Sequence, residues 1–204
     1  DFKTLLEKSE YESEAQETTV LEHQIVSNLT AEQLVDGMAI HLEMENAHYH
    51  TSKALGLAFV TDTAAYYMPY EDVLQSEEVK AYLQDEAKKK YVFDLKKHQV
   101  AFARDQIELK GVEFDLLLAA YIDDPAFASE DIASVSRAYN YTNVQTEESI
   151  YGKGAKRAVP SEEVLAEHVC RQALAVYTTR EPLLSKLKEN EQYDLYTDIE
   201  LPLA

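Results

Sequence analysis

A single cysteine, Cys170, excludes an intramolecular disulfide and any metal cage built from cysteines alone, and it fits a reducing compartment. Nowhere do about 18 apolar residues run together as a membrane-spanning helix requires, and no basic-then-apolar leader opens the chain. Basic residues are scarce: 19 Lys and Arg stand against 38 Asp and Glu, a formal charge of −19. That balance repels phosphate and argues against autonomous, tight, non-specific binding to nucleic acid, so any such contact has to be local or made by another domain. Internal repeats are absent, and so is low complexity beyond an acidic start. What is present is ordinary for a globular chain: 204 residues, 46% hydrophobic and 28% charged, enough for one full-sized core with a tail. The expectation is a cytoplasmic protein with no membrane partner.

Asp1 to Thr19 carries few apolar residues beyond Phe2, Leu5 and Leu6 and cannot offset its own ordering entropy, so residues 1–27 read as an acidic linker. A short strand is expected within Thr18 to Val26. Thr30-Ala-Glu-Gln33 has the form of a capping box opening a brief helix to Val35, ended by Gly37. From Met38 to Glu45 the chain alternates, with Met38, Ile40, Leu42 and Met44 on one face and Ala39, His41, Glu43 and Glu45 on the other. That is a strand. With Ala54 to Thr61 and Ala64 to Tyr70 it makes a three-strand antiparallel meander. Ser76 caps a helix to Glu86, with Glu77 and Glu78 in its first turn.

Lys88 to Gln106 reads as a short strand (Tyr91, Val92, Phe93) feeding a helix with Leu95, Val100, Phe102 and Ala103 near one face. Lys110-Gly111 is a turn, and Asp115 can cap a helix from Leu116 to Ile122. That helix is apolar almost all round, which predicts that it is sandwiched between other elements. Asp123-Asp124-Pro125 ends it, Ser129 to Tyr139 is a further helix, and Asn140 to Pro160 is the least regular stretch. A long helix, with Pro182 as a candidate bend, runs from Ser161 to about Asn190 and carries Cys170 as an inert core thiol. Strands followed by alternating helices and strands predict an α/β fold: a mixed sheet, antiparallel meander plus parallel strands, with helices on both faces.

Several of these runs are familiar. Ile107 to Ile122 and Leu201-Pro202-Leu203 resemble the proofreading (3′-5′ exonuclease) domain of bacterial family A DNA polymerases. Lys88-Lys-Lys90, Phe93-Asp94, Tyr151-Gly-Lys-Gly-Ala-Lys-Arg157 and Leu165-Ala-Glu-His168 are similar to the bacillus-type branch. The resemblance covers roughly residues 28–204. It implies a ribonuclease-H-like fold whose active members hold two metal ions with carboxylates, and a last stretch leading into a polymerase domain.

Carried over residue by residue, the resemblance places the family's Asp-x-Glu at His41-Leu42-Glu43. Its second aspartate falls at His98, and its tyrosine and aspartate on the last helix fall at His168 and Gln172. One carboxylate of four survives. Asp94 is a helical turn out of register, Glu45 lies about 7 Å farther along its strand, and Glu167 sits about 100° round its helix. A lone glutamate with imidazoles and an amide cannot balance two magnesium ions. The expectation is therefore a vestigial exonuclease-like module, monomeric in isolation, without a metal of its own. Magnesium and DNA would belong to the parent polymerase.

Two alternatives stay open. One is a metal-dependent exonuclease in which His41, Glu43 and His98, with His168 near, bind a transition metal. The other is a non-catalytic surface for single-stranded DNA, for which the loop cations Lys153, Lys156 and Arg157 are candidates. His48-Tyr49-His50 is expected on an exposed turn.

Overall fold

The computed structural model describes residues 22–128 and 130–197. Among the described residues six strands form one sheet: β1 (His23–Ile25), β2 (Met38–Met44), β3 (Ala54–Val60), β4 (Ala65–Pro69), β5 (Lys90–Val92) and β6 (Val112–Asp115). Their spatial order is β1-β4-β3-β2-β5-β6. The meander β2-β3-β4 is antiparallel, whereas β1 joins β4, β5 joins β2 and β6 joins β5 in parallel.

Alternation along β2 assigns its two faces. Met38, Ile40, Leu42 and Met44 enter a core with Leu57, Phe59, Met68 and Phe102. This core is closed by α1 (Tyr70–Gln75), α2 (Glu77–Gln84) and α3 (Leu95–Ala103). Ala39 enters the opposite core with Tyr67, Phe114, Val169 and Val176. That face is covered by α4 (Leu116–Asp123), α5 (Ile132–Ala138) and the 28-residue α7 (Glu162–Glu189). Each fully buried Leu or Phe in these layers contributes roughly 1.5–3 kcal/mol. All seven β2 residues are buried, so the face bearing His41 and Glu43 lies under protein.

Local chemistry sets the joints. Ser76, Asp131 and Ser161 cap their helices as acceptors from Val79, Ser134 and Val164 amides. Asp115 caps α4 through the Leu117 amide at 3.0 Å and also accepts from the Asp94 and Leu95 amides, tying β6 to the start of α3. Gly111 sits at φ +78°, where a Cβ would fall 2.6 Å from the Lys88 carbonyl. Lys90, fully buried, donates to the Asp85, Lys88 and Lys110 carbonyls at 2.9, 2.6 and 2.9 Å. It fastens the entry and exit of the β5–β6 region.

Several expectations need correcting. The Thr30–Gln33 box closes both of its reciprocal bonds, at 2.9 and 3.2 Å, but supports a turn and no helix, because Asp36-Gly37 must lead at once into β2. Residues 112–115 form β6, a strand that Val112 and Phe114 mark by alternation but that four residues between the Lys110-Gly111 turn and the Asp115 cap are too few to announce. Helix α1 follows Pro69 without a side-chain cap, and α6 (Glu147–Tyr151) interrupts the stretch expected to be irregular. Helix α4 is not sandwiched: Leu116, Ala119, Ala120 and Ile122 are buried, while Leu117 and Leu118 are half-buried and Tyr121 is 42% exposed. Strand β1 is the short strand expected within Thr18 to Val26, and residues 1–21 of the stretch read as linker, Ser129 and Leu201-Pro202-Leu203 lie outside the described residues. The last turn, α8 (Tyr193–Leu195), brings Tyr196 onto Phe114. Among the described residues no helix is long and apolar enough to cross a membrane.

Candidate functional site

Strand β5 is three residues long and pairs with β2 only at Met38 and Ala39, so farther along β2 the Leu42 amide has no strand beside it. His98, from α3, takes that place. Its Nε2 accepts from the Leu42 amide at 3.0 Å, and its Nδ1 donates to the Asp94 carbonyl at 2.9 Å. A backbone N–H only donates and a carbonyl only accepts, so the two bonds fix a neutral imidazole with its proton on Nδ1. Both ring nitrogens are committed, and no lone pair is left for an ion. Burial first, then the Lys97 and His41 charges, hold its pKa well below the ordinary imidazole range.

On the other face of β2, His41 and Glu43 point towards α7. His168 and Gln172 on α7 are four residues apart and therefore share one side of the helix. Gln172 Nε2 lies 3.4 Å and His168 Nε2 3.5 Å from Glu43 Oε2, and His41 Nε2 lies 3.8 Å from Glu43 Oε1. The two imidazole contacts are long for hydrogen bonds, and because burial pushes both rings towards the neutral form they are weak polar contacts. All four side chains are buried, with Glu43 only 8% exposed. Burial also lowers His41 and His168, and for His168 it outweighs the opposing pull of Glu43. Their Nδ1 atoms are buried without a hydrogen-bond partner among the described residues.

The shortest contact to the glutamate comes from a residue to which the sequence assigned no role. Tyr151, at the end of α6, donates its hydroxyl to Glu43 Oε2 at 3.0 Å. Arg157 stacks 4.6 Å over the Tyr151 ring and donates to the Glu45 carbonyl at 2.7 Å and the Glu147 carboxylate at 2.6 Å. The segment from Thr146 to Arg157 is thus a strap drawn across the open end of β2. Lys97, half-buried, adds a positive charge that interacts with Glu43, while burial lowers its own pKa. Only the run Tyr151-Gly-Lys-Gly-Ala-Lys-Arg157 flagged this strap in advance; it gave the tyrosine no task and offered the arginine only as a candidate contact for single-stranded DNA.

A cleft of about 270 Å³ remains beside the cluster, lined by Glu43, Asp94, Lys97, Glu147, His168 and Gln172 among others. Lys153 and Lys156 are exposed, whereas Arg157 is half-buried and paired. Glu45 is half-buried, and Glu167 is paired with Arg171 at 2.6 Å. His48 and His50 are exposed, with His50 stacked on Tyr49 at 4.6 Å. Cys170 is buried and its thiol is pushed up to about 12, which keeps it protonated and unreactive. The active-family arrangement, two hard divalent ions among carboxylates, does not fit this donor set: one carboxylate, two imidazoles and an amide, with the third imidazole locked. Among the described residues no three His, Cys, Asp or Glu side chains are placed to hold one ion.

Comparison with known proteins bears on the family and the fold. The chain is 44% identical over 207 residues to DNA polymerase I of Bacillus subtilis (strain 168), an alignment that takes in 100% of this chain and 24% of that protein. It is 40% identical over 205 residues to DNA polymerase I of Geobacillus stearothermophilus, covering 100% and 23%. The chain therefore spans about a quarter of the length of these relatives. Among solved structures, Escherichia coli RNase D, an exoribonuclease, superposes with a TM-score of 0.67 at 15% identity, over 87% of this chain and 48% of that one, which speaks for the fold alone. The model of the DNA polymerase I, ribonuclease H-like domain matches residues 40–179, and the chain belongs to that family.

Proposed function

We propose that this chain is the 3′-5′ exonuclease-like portion of a bacterial, cytoplasmic DNA polymerase I, that it no longer cuts DNA, and that it serves as a structural module beside a polymerase domain in the same polypeptide. Magnesium-dependent DNA synthesis in replication and repair would then belong to that other domain. One observation carries the reading: Glu43, the carboxylate retained from the family's set, is occupied by the Tyr151 hydroxyl and the Gln172 amide. Phosphodiester cleavage with two metals needs several carboxylates converging on one spot. Here three positions that would supply them are His41, His98 and Gln172, and His98 does backbone work instead.

The electrostatics favour the same reading over a single-strand-binding surface. A charge of −19 opposes a phosphate backbone, and Arg157, the cation nearest the cleft among the basic trio, already faces Glu147. The test is digestion of a 5′-labelled single-stranded oligonucleotide with magnesium or manganese. No shortening is expected. Digestion that disappears in Glu43→Ala would overturn the proposal, whereas digestion indifferent to that substitution would point to a contaminating nuclease.

A further inference from the structure

We infer that a cavity beside α7 binds one ordered water molecule, which joins the Tyr141 hydroxyl to the Arg171 Nε and so ties the root of the Tyr151 strap to that helix. The cavity measures about 40 Å³, and three parts of the chain line it. Ala65 comes from the start of β4, Tyr141 and Asn143 from the segment after α5, and Glu167, Cys170 and Arg171 from α7. A water molecule takes up about 30 Å³ in the liquid, so the space suits one.

Two buried donors converge there. Among the described residues four buried side-chain atoms have no hydrogen-bond partner, and the Tyr141 hydroxyl and the Arg171 Nε are two of them. Tyr141 is 5% exposed. Burial pushes its hydroxyl up to about 12, against the opposing pull of the Arg171 charge and an Asn143 side-chain contact, so at neutral pH it keeps its proton. A contact that pulls a phenol down donates to its oxygen, and the hydroxyl proton still needs an acceptor. The Arg171 Nη1 donates to the Asn143 carbonyl at 3.4 Å and its Nη2 to Glu167 at 2.6 Å, which leaves Nε–H, a donor only.

Two donors in so small a space call for an acceptor the size of water or of a single ion. A halide would accept from both, but Glu167 lines the same cavity and already balances Arg171, and the chain carries a charge of −19. Water accepts from both and has two protons of its own to give, for which the Glu167 carboxylate stands ready. A bridge of this kind is nearly as favourable as a direct hydrogen bond. Its place explains what it does: Tyr141 precedes Thr146, the cap of α6, by one short stretch of chain, and Arg171 adjoins Gln172. The water therefore fixes the strap's root to the helix that faces Glu43.

The experiment is a high-resolution crystal structure of the 204-residue chain, with thermal unfolding and amide exchange of Tyr141→Phe beside it. A density peak within hydrogen-bond distance of both the Tyr141 hydroxyl and the Arg171 Nε is expected, without an anomalous signal there after a bromide soak. Tyr141→Phe should lower Tm by about 2–4 °C and speed amide exchange across residues 139–146, because the water loses one of its anchors. No peak at that place, or a peak that reaches only one of the two atoms, would overturn the inference, and an anomalous bromide peak would overturn the water in favour of an anion. A Tm unchanged or raised in Tyr141→Phe would overturn it too, since removing a buried hydroxyl that bonds nothing relieves the fold.

Discussion

Replacing Glu43 by alanine gives opposite results under the two readings of the cluster. In an ion-free two-metal site a buried carboxylate is an uncompensated charge, and its removal relieves the fold. Here Glu43 is a shared acceptor, with Tyr151 at 3.0 Å, Gln172 at 3.4 Å and the His168 and His41 rings at 3.5 and 3.8 Å. Removing it strands the Tyr151 hydroxyl and the Gln172 amide in a buried setting at about 1–3 kcal/mol each, partly offset by no longer burying a carboxylate, so a net loss of about 2–4 kcal/mol is expected. For a folded unit of this size each kcal/mol moves Tm by about 2–4 °C. The fall in Tm should therefore be about 5–15 °C. A double-mutant cycle with Tyr151→Phe isolates the central bond, and its coupling should be about 1.5–3 kcal/mol, as for a hydrogen bond to a charged group. Thermal unfolding of the four proteins by circular dichroism is the assay. An unchanged or raised Tm for Glu43→Ala, or a coupling near zero, would refute the claim that protein donors have taken over this carboxylate.

Other expectations concern different parts of the molecule. Lys90→Met leaves the Asp85, Lys88 and Lys110 carbonyls without the ammonium that joins them, and should cost about 3–5 kcal/mol in urea unfolding; a loss below about 1 kcal/mol would contradict the pin. His41, His98 and His168 are all lowered from 6.5 by burial, so the unfolded chain takes up protons first, and their stabilisation is present above 6.5 and is lost as pH falls through the lowered folded values. Asp115, pushed up to about 6 from 3.8 by burial, works the other way between those two values, one group against three. Tm should therefore fall between pH 7 and pH 5, and a level or rising Tm would refute the sign. Restoring carboxylates with His41→Asp, His98→Asp and Gln172→Asp should not give a proficient exonuclease, because it concentrates like charge, leaves the Leu42 amide unpaired and keeps the Tyr151 strap in place. Robust magnesium-dependent digestion by that triple variant would show that only the carboxylates had been lost.

Much of this arrangement was legible in the residues. The alternation of Met38 to Glu45 gave the strand, its two faces and the direction of Glu43, and the spacing of His168 and Gln172 put both on one side of α7. The resemblance assigned His41, Glu43, His98, His168 and Gln172 to one site; His41, His168 and Gln172 meet at Glu43, whereas His98 is turned to the Leu42 amide. Strand β6 was missed although Val112-Glu-Phe-Asp115 alternates with the strand period, because it is only four residues long between a turn and a helix cap, and its pairing with β5 is a tertiary fact. Helix α4 was misjudged because composition reports how apolar a helix is, but not which elements cover it. Tyr151 could not be placed either. It reaches Glu43 from 108 residues away, through a strap whose short helix is set by the Thr146 cap and by Arg157. The role of His98 follows from the shortness of β5, which leaves one amide of β2 unpaired, and no local pattern announces that.

The most direct test of the central claim is manganese binding, followed by electron paramagnetic resonance on the wild-type chain and on Glu43→Gln. If Tyr151 and Gln172 hold the carboxylate in place of metals, both proteins should show the same weak, surface-type uptake of manganese, with no site that depends on Glu43. Two manganese ions per chain bound tightly by the wild type and lost in Glu43→Gln would contradict the account.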